Sequence, residues 1–95
     1  MAEINFGIPV MNKNRLMWAS RRGMLELDLI LQPFAEHQYE HLAEDDKLRF
    51  EVLLELEDQQ LFAWLMKREQ PTDPEIQRIV TLIHDSRRQT APIRD

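Results

Sequence analysis

Thr72-Asp73-Pro74-Glu75-Ile76-Gln77-Arg78-Ile79-Val80-Thr81-Leu82-Ile83 is the stretch from which the architecture of the whole chain can be read. Thr72 and Glu75 stand at capping-box spacing, where a hydroxyl and a carboxylate satisfy each other's free amides. Pro74 adds a first-turn residue with no amide to leave unpaired. Ile76, Ile79, Val80 and Ile83 then recur at the three-and-four spacing of one helical face, which predicts a helix to about Arg88. The same logic extends upstream. The chain has only two glycines in 95 residues and no Asn-Gly or Asp-Gly turn, so little room is left for paired strands. The expected class is all-α, a small single-domain bundle of about five helices over residues 12–88. An N-terminal arm (1–11) without periodicity should be flexible and dispensable, and a short tail (89–95) should fray.

The upstream helices follow from their punctuation. Asn12 or Asn14 can cap a short first helix through about Ser20, with Leu16 and Met17 or Trp18 as its apolar contacts. A second helix is expected from near Gly23, with Met24, Leu27, Leu31 and Phe34 on one face and Asp28 and Gln32 on the other. Pro33 removes a backbone donor and should kink it. Glu44-Asp45-Asp46 suits the positive N-terminus of a third helix with a stripe of Leu48, Val52, Leu53 and Leu56. Asp58 looks like the cap of a fourth helix, apolar nearly all round through Leu61, Phe62, Trp64, Leu65 and Met66 and ended by Gln70-Pro71. Leu27, Leu31, Val52, Leu56, Leu65, Ile79 and Ile83 are the expected core.

Composition narrows the function. Hydrophobic residues make up 43% and charged residues 31%, a balance that supports a packed core. The net charge of -5 argues against nucleic acid or an anionic membrane as partner, since both require phosphate neutralisation by Lys and Arg. The charge is unevenly spread: Lys13, Arg15, Arg21 and Arg22 form a basic stretch ahead of an acidic body. With no cysteine, disulfides, thiolate metal sites and cysteine nucleophiles are excluded. No apolar run reaches the ~18 residues needed to span a bilayer, and no secretory or transit signal stands at the N-terminus, so the expected compartment is the cytoplasm.

Three groups of residues invite a chemical reading. His37-Gln38-Tyr39-Glu40-His41 has the H-x-x-E-H order of a zinc helix, with His84 the one further candidate ligand. Two imidazoles make an incomplete site, so no tightly bound metal is expected. Trp18, Phe62 and Trp64 are expected to pack in the core rather than form a stacking surface. Arg21-Arg22-Gly23-Met24-Leu25-Glu26 combines residues with no evident structural need, and spacing alone leaves two readings open. In one, Gly23 is a helix boundary beside a solvated Arg22/Glu26 pair. Alternatively, glycine admits another backbone while Arg22 and Glu26 offer a fork donor and a carboxylate, forming a recognition patch.

The segment Arg22-Gly23-Met24-Leu25-Glu26 matches an R-G-x-x-E motif. It is preceded by Trp18-Ala19-Ser20-Arg21 and followed by Leu27-Asp28 and Pro33-Phe34. Leu53-Leu54-Glu55, Asp58 and Leu61-Phe62-Ala63-Trp64-Leu65-Met66 follow in order. Over about residues 12–88 the chain resembles the SdhE family of FAD assembly factors. The resemblance implies a helical helper, not an enzyme, that binds the flavoprotein subunit of succinate dehydrogenase or fumarate reductase and promotes its covalent FAD attachment. It further implies that the flavin bond forms on the partner and that this chain binds no cofactor stably. Arg22, Gly23 and Glu26 carry over as partner contacts, with Arg15, Arg21 and Asp28 as supporting residues, and the free chain is expected to be a monomer. The rival reading is an antitoxin-like or regulatory protein-binding module. Two features depart from the family pattern: the arm is longer than needed, and Ala43 stands where a serine or aspartate would better cap the third helix.

Overall fold

A computed structural model describes residues 12–90, with side chains as far as Arg87; the expectations for the arm and for residues 91–95 lie outside it. Five α-helices and no strand occur among the described residues. They are α1 (Lys13–Ala19), α2 (Leu25–Pro33), α3 (Glu44–Leu53), α4 (Asp58–Leu65) and α5 (Pro74–Thr90). Asn12 caps α1 as expected, its Oδ1 accepting from the Arg15 amide at 2.8 Å.

Leu16, Leu27, Leu31, Phe50, Leu53, Leu61, Ile79 and Ile83 are fully enclosed, so every α-helix contributes to one core. Phe50 lies within it, its ring 5.0 Å from Phe34 and 5.9 Å from Tyr39, centroid to centroid. Five of the seven expected core residues are buried: Leu27, Leu31, Leu65, Ile79 and Ile83. Leu56 is half-buried. Val52 is a correction, at 37% exposure. Phe50 and Leu53 set the inward face of α3, and a residue two positions from Phe50 lies about 200° around the helix from it. Val52 therefore turns outward, into a groove of about 350 Å³ that it lines with Leu48 and Ile76.

Pro33 neither ends the helical path nor leaves it regular. α2 runs through it into a π-helical turn (Phe34–Gln38) and a 3-10 turn (Tyr39–His41). Proline offers no amide to the carbonyl of Leu29, and the chain widens to the π spacing just beyond, where the Tyr39 amide donates to Phe34 O.

Further corrections concern helix ends. Glu57, not Asp58, is the N-cap of α4, paired reciprocally with Gln60. α4 ends at Leu65, well before Gln70-Pro71: Lys67 takes a left-handed φ of 63° while the Arg68 amide donates to Ala63 O and the Lys67 amide to Trp64 O. That is the Schellman closure with lysine in place of the usual glycine. At α5, Asp73 performs the capping expected of Thr72, its Oδ1 accepting from the Glu75 amide at 2.8 Å, with Pro74 as the first helical residue. The Glu75 carboxylate is consequently free to bind Arg49. Arg49 also reaches the buried Asp46 at 2.8 Å, and Arg78 holds the other side of that carboxylate at 3.0 Å, tying α3 to α5. α3 itself starts after Ala43 with no side-chain cap, as expected.

Candidate functional site

The segment joining α1 to α2 is short and held from several sides. Ser20 closes α1, fully buried, with its Oγ donating to Met17 O at 2.9 Å. The Arg21 amide donates to Trp18 O, and the Arg22 amide donates to Asp28 Oδ1 at 2.7 Å. Asp28 thus reaches back from the first turn of α2 to hold the loop ahead of it, which gives this supporting residue a structural task. α2 starts at Leu25, two residues beyond Gly23.

Gly23 has φ +80°, a left-handed conformation in which L side chains are strained, and it is exposed. A Cβ built there would meet no atom within 4 Å, so the glycine answers to its backbone conformation and not to crowding within this chain. Glu26 is exposed in the first turn of α2, where the helix dipole favours a carboxylate. Arg15 and Arg21 are exposed as well.

Arg22 faces the other way. Its side chain is only 14% exposed, and its guanidinium is taken up by this chain. Nε donates to Asp58 Oδ1 at 2.8 Å, Nη1 to Ala19 O at 2.9 Å and to Leu54 O at 2.7 Å, and Nη2 to Leu56 O at 2.7 Å. The solvated Arg22/Glu26 pair that the spacing suggested does not form.

Trp18 is a second correction to the expected packing: it is 79% exposed. α1 has only seven residues, and with Leu16 turned into the core, a residue two positions on points outward. Leu25 and Leu29 on α2 are also exposed, at 68% and 59%. Trp64 and Phe62 are half-buried against the core. Periodicity gave no hint of these exposed side chains because it specifies that a helix has an apolar face, not how many apolar residues lie off it.

The histidines do not converge. His37 and His41 are exposed, His41 within 3.5 Å of Glu40, while His84 lies against Leu65 O at 3.2 Å. Among the described residues, no group of three or more His, Asp or Glu is placed to hold a metal. None of the described helices is long and apolar enough to cross a membrane.

Comparison with known proteins assigns the chain to a family. The family model described as "Flavinator of succinate dehydrogenase" matches residues 14–87, a span that contains all five helices nearly in full. The chain is similar to the FAD assembly factor SdhE of a Serratia species, 45% identical over 82 residues that cover 86% of this chain and 93% of that one. It is 50% identical to the protein of the same name from Shewanella oneidensis over 74 residues, covering 78% of this chain and 90% of that one. With the Pseudomonas aeruginosa protein it shares 51% over 71 residues, 75% of this chain and 84% of that one. With the family model spanning the helical domain and relatives of this identity covering most of both chains, the protein belongs to the family of succinate dehydrogenase flavinators.

Proposed function

We propose that this chain promotes covalent FAD attachment by docking on the flavoprotein subunit of succinate dehydrogenase or fumarate reductase. The working surface is the α1–α2 corner of the Arg22-Gly23-Glu26 motif, where Gly23 and Glu26 are exposed beside Arg15 and Arg21 while Arg22 and Asp28 bond within the chain. One observation carries the reading. Three of the four exposed large apolar side chains among the described residues, Trp18, Leu25 and Leu29, fall within six positions of Gly23. Contiguous exposed apolar residues are uncommon on a monomer's surface, and their closeness in sequence to an open glycine supports reading this corner as a protein-docking face.

The flavin bond belongs to the partner, and this chain contributes binding energy alone. It is not an enzyme, holds no flavin stably and acts as a cytoplasmic monomer. To favour flavinylation it must bind the attachment-competent arrangement of the subunit more tightly than the others, because equal affinity would shift nothing. A strain lacking the protein, complemented at native expression level, tests this. Covalent flavin is read by in-gel fluorescence, and docking by pull-down of the flavoprotein subunit. Wild type should restore both, while Glu26→Ala should restore neither and yet melt within ~0.5 kcal/mol of wild type, since only an exposed carboxylate is lost. Normal flavinylation with both Glu26→Ala and Gly23→Arg would remove this surface from consideration.

A further inference from the structure

Within the motif, the arginine and the glutamate are built for different tasks. Glu26 projects into solvent, and among the described residues no donor meets its carboxylate. Arg22, one residue before the exposed Gly23, spends its guanidinium on groups that need it structurally. Ala19 is the last residue of α1 and Leu54 closes α3, so two of the accepting carbonyls lie at helix C-termini, where backbone acceptors lack partners and the dipole is negative. Leu56 O lies in the turn between α3 and α4, and Asp58 is the first residue of α4. One side chain therefore bridges α1, the α3–α4 turn and the start of α4, while its own backbone amide is held by Asp28. A lysine could not reproduce this, since one ammonium cannot place donors in the fork that reaches Asp58 and three separate carbonyls.

We propose that Arg22 is a positioning residue of the docking surface and that Asp58 is its working partner. Together they hold the α1–α2 corner so that Gly23, at φ +80°, and the neighbouring Glu26 are presented in one arrangement. On this account Asp58, far from the motif in sequence, belongs to the functional unit without touching the flavoprotein. The proposal rests on the docking reading given above.

The test uses the intact chain with Arg22→Lys, Asp58→Ala and the double variant, and with Glu26→Ala as the docking control. Affinity for FAD-free flavoprotein subunit is measured by calorimetry at a temperature where melting shows each variant folded. Amide hydrogen exchange over residues 22–25 is followed in the free chain. Each single variant should weaken docking about tenfold, the double variant should be no weaker than Arg22→Lys alone, and exchange at Gly23 and Met24 should speed up while the core amides hold. A role in global stability alone would leave the affinity of the folded chain unchanged and quicken exchange in the core. Asp58→Ala trims a side chain that is 40% exposed, so it carries the test even if Arg22→Lys folds poorly. Weaker docking by Arg22→Lys with neutral Asp58→Ala and unchanged loop exchange would make Arg22 a direct contact and overturn the proposal. Neutral affinities for both, with Glu26→Ala still weakened, would overturn it while leaving the docking reading intact. A neutral Glu26→Ala as well would place the docking surface elsewhere, and both would fail.

Discussion

Gly23 permits the sharpest separation of docking from folding, because its two structural properties predict different things. Its φ of +80° means that any L side chain there adopts the left-handed region, at a cost of about 1–2 kcal/mol. The open space around its missing Cβ means that no steric term is added, so Gly23→Ala and Gly23→Arg should lose the same stability. Asparagine tolerates this conformation better, so Gly23→Asn should lose less. For a domain of this length, total stability is about 5–14 kcal/mol at ~0.05–0.15 kcal/mol per residue. A loss of about 2 kcal/mol then leaves at least ~3 kcal/mol, enough to keep over ~99% of molecules folded. The melting temperature should fall by roughly 4–16 °C for Gly23→Ala and Gly23→Arg alike. Flavinylation should not follow that pattern: Gly23→Arg should abolish it by filling the space a partner backbone needs, while Gly23→Asn and Gly23→Ala should retain part of it. Urea denaturation of the free chain and in-gel flavin fluorescence in the complemented strain measure the two sides. If Gly23→Arg costs over a kilocalorie more than Gly23→Ala, the site is crowded within this chain. If Gly23→Arg flavinylates normally, no partner backbone needs the space at Gly23.

Replacing both Leu25 and Leu29 with serine should change stability by no more than about 0.5 kcal/mol per site, since both are largely exposed, yet weaken docking in the same pull-down. An unchanged pull-down would mean that the apolar cluster lies outside the interface. Phe50→Ala should cost about 3–5 kcal/mol, because the ring is fully enclosed and packs on Phe34 and Tyr39; a loss under ~1 kcal/mol would contradict the packing. The Asp46 carboxyl is held below its ordinary range chiefly by the hydrogen bonds from Arg78, aided by Arg49 and opposed by burial. A lowered folded-state value means that its contribution to stability is present above the unfolded carboxyl's pKa of about 3.9 and is lost as pH falls through the folded value. The melting-temperature gap between wild type and Asp46→Asn should therefore be widest near neutrality and shrink below about pH 4, and a constant gap would contradict the assignment.

Much of the fold was written locally. Helix class, the order of five helices, the Asn12 cap, the first-turn Pro74 and most of the core depend on spacings of four residues or fewer, and such signals survive in a linear reading. Helix ends and faces are less local, because neighbouring residues compete for one task. Asp73 and Thr72 could both cap α5, Glu57 and Asp58 could both cap α4, and only packing decides which face of α3 carries Phe50 inward and Val52 outward.

The motif residues Arg22, Gly23 and Glu26 could be singled out from the sequence, but their division of labour could not. Gly23 was legible as a permissive backbone position because glycine itself states that property. The role of Arg22 was not, because its acceptors at Leu54, Leu56 and Asp58 lie 32, 34 and 36 residues along the chain. A guanidinium offers the same donors to a partner protein as to its own helix ends, so sequence determines only that a fork of donors is present. The tertiary structure, by bringing the ends of α1 and α3 and the start of α4 around that fork, determines that it is turned inward.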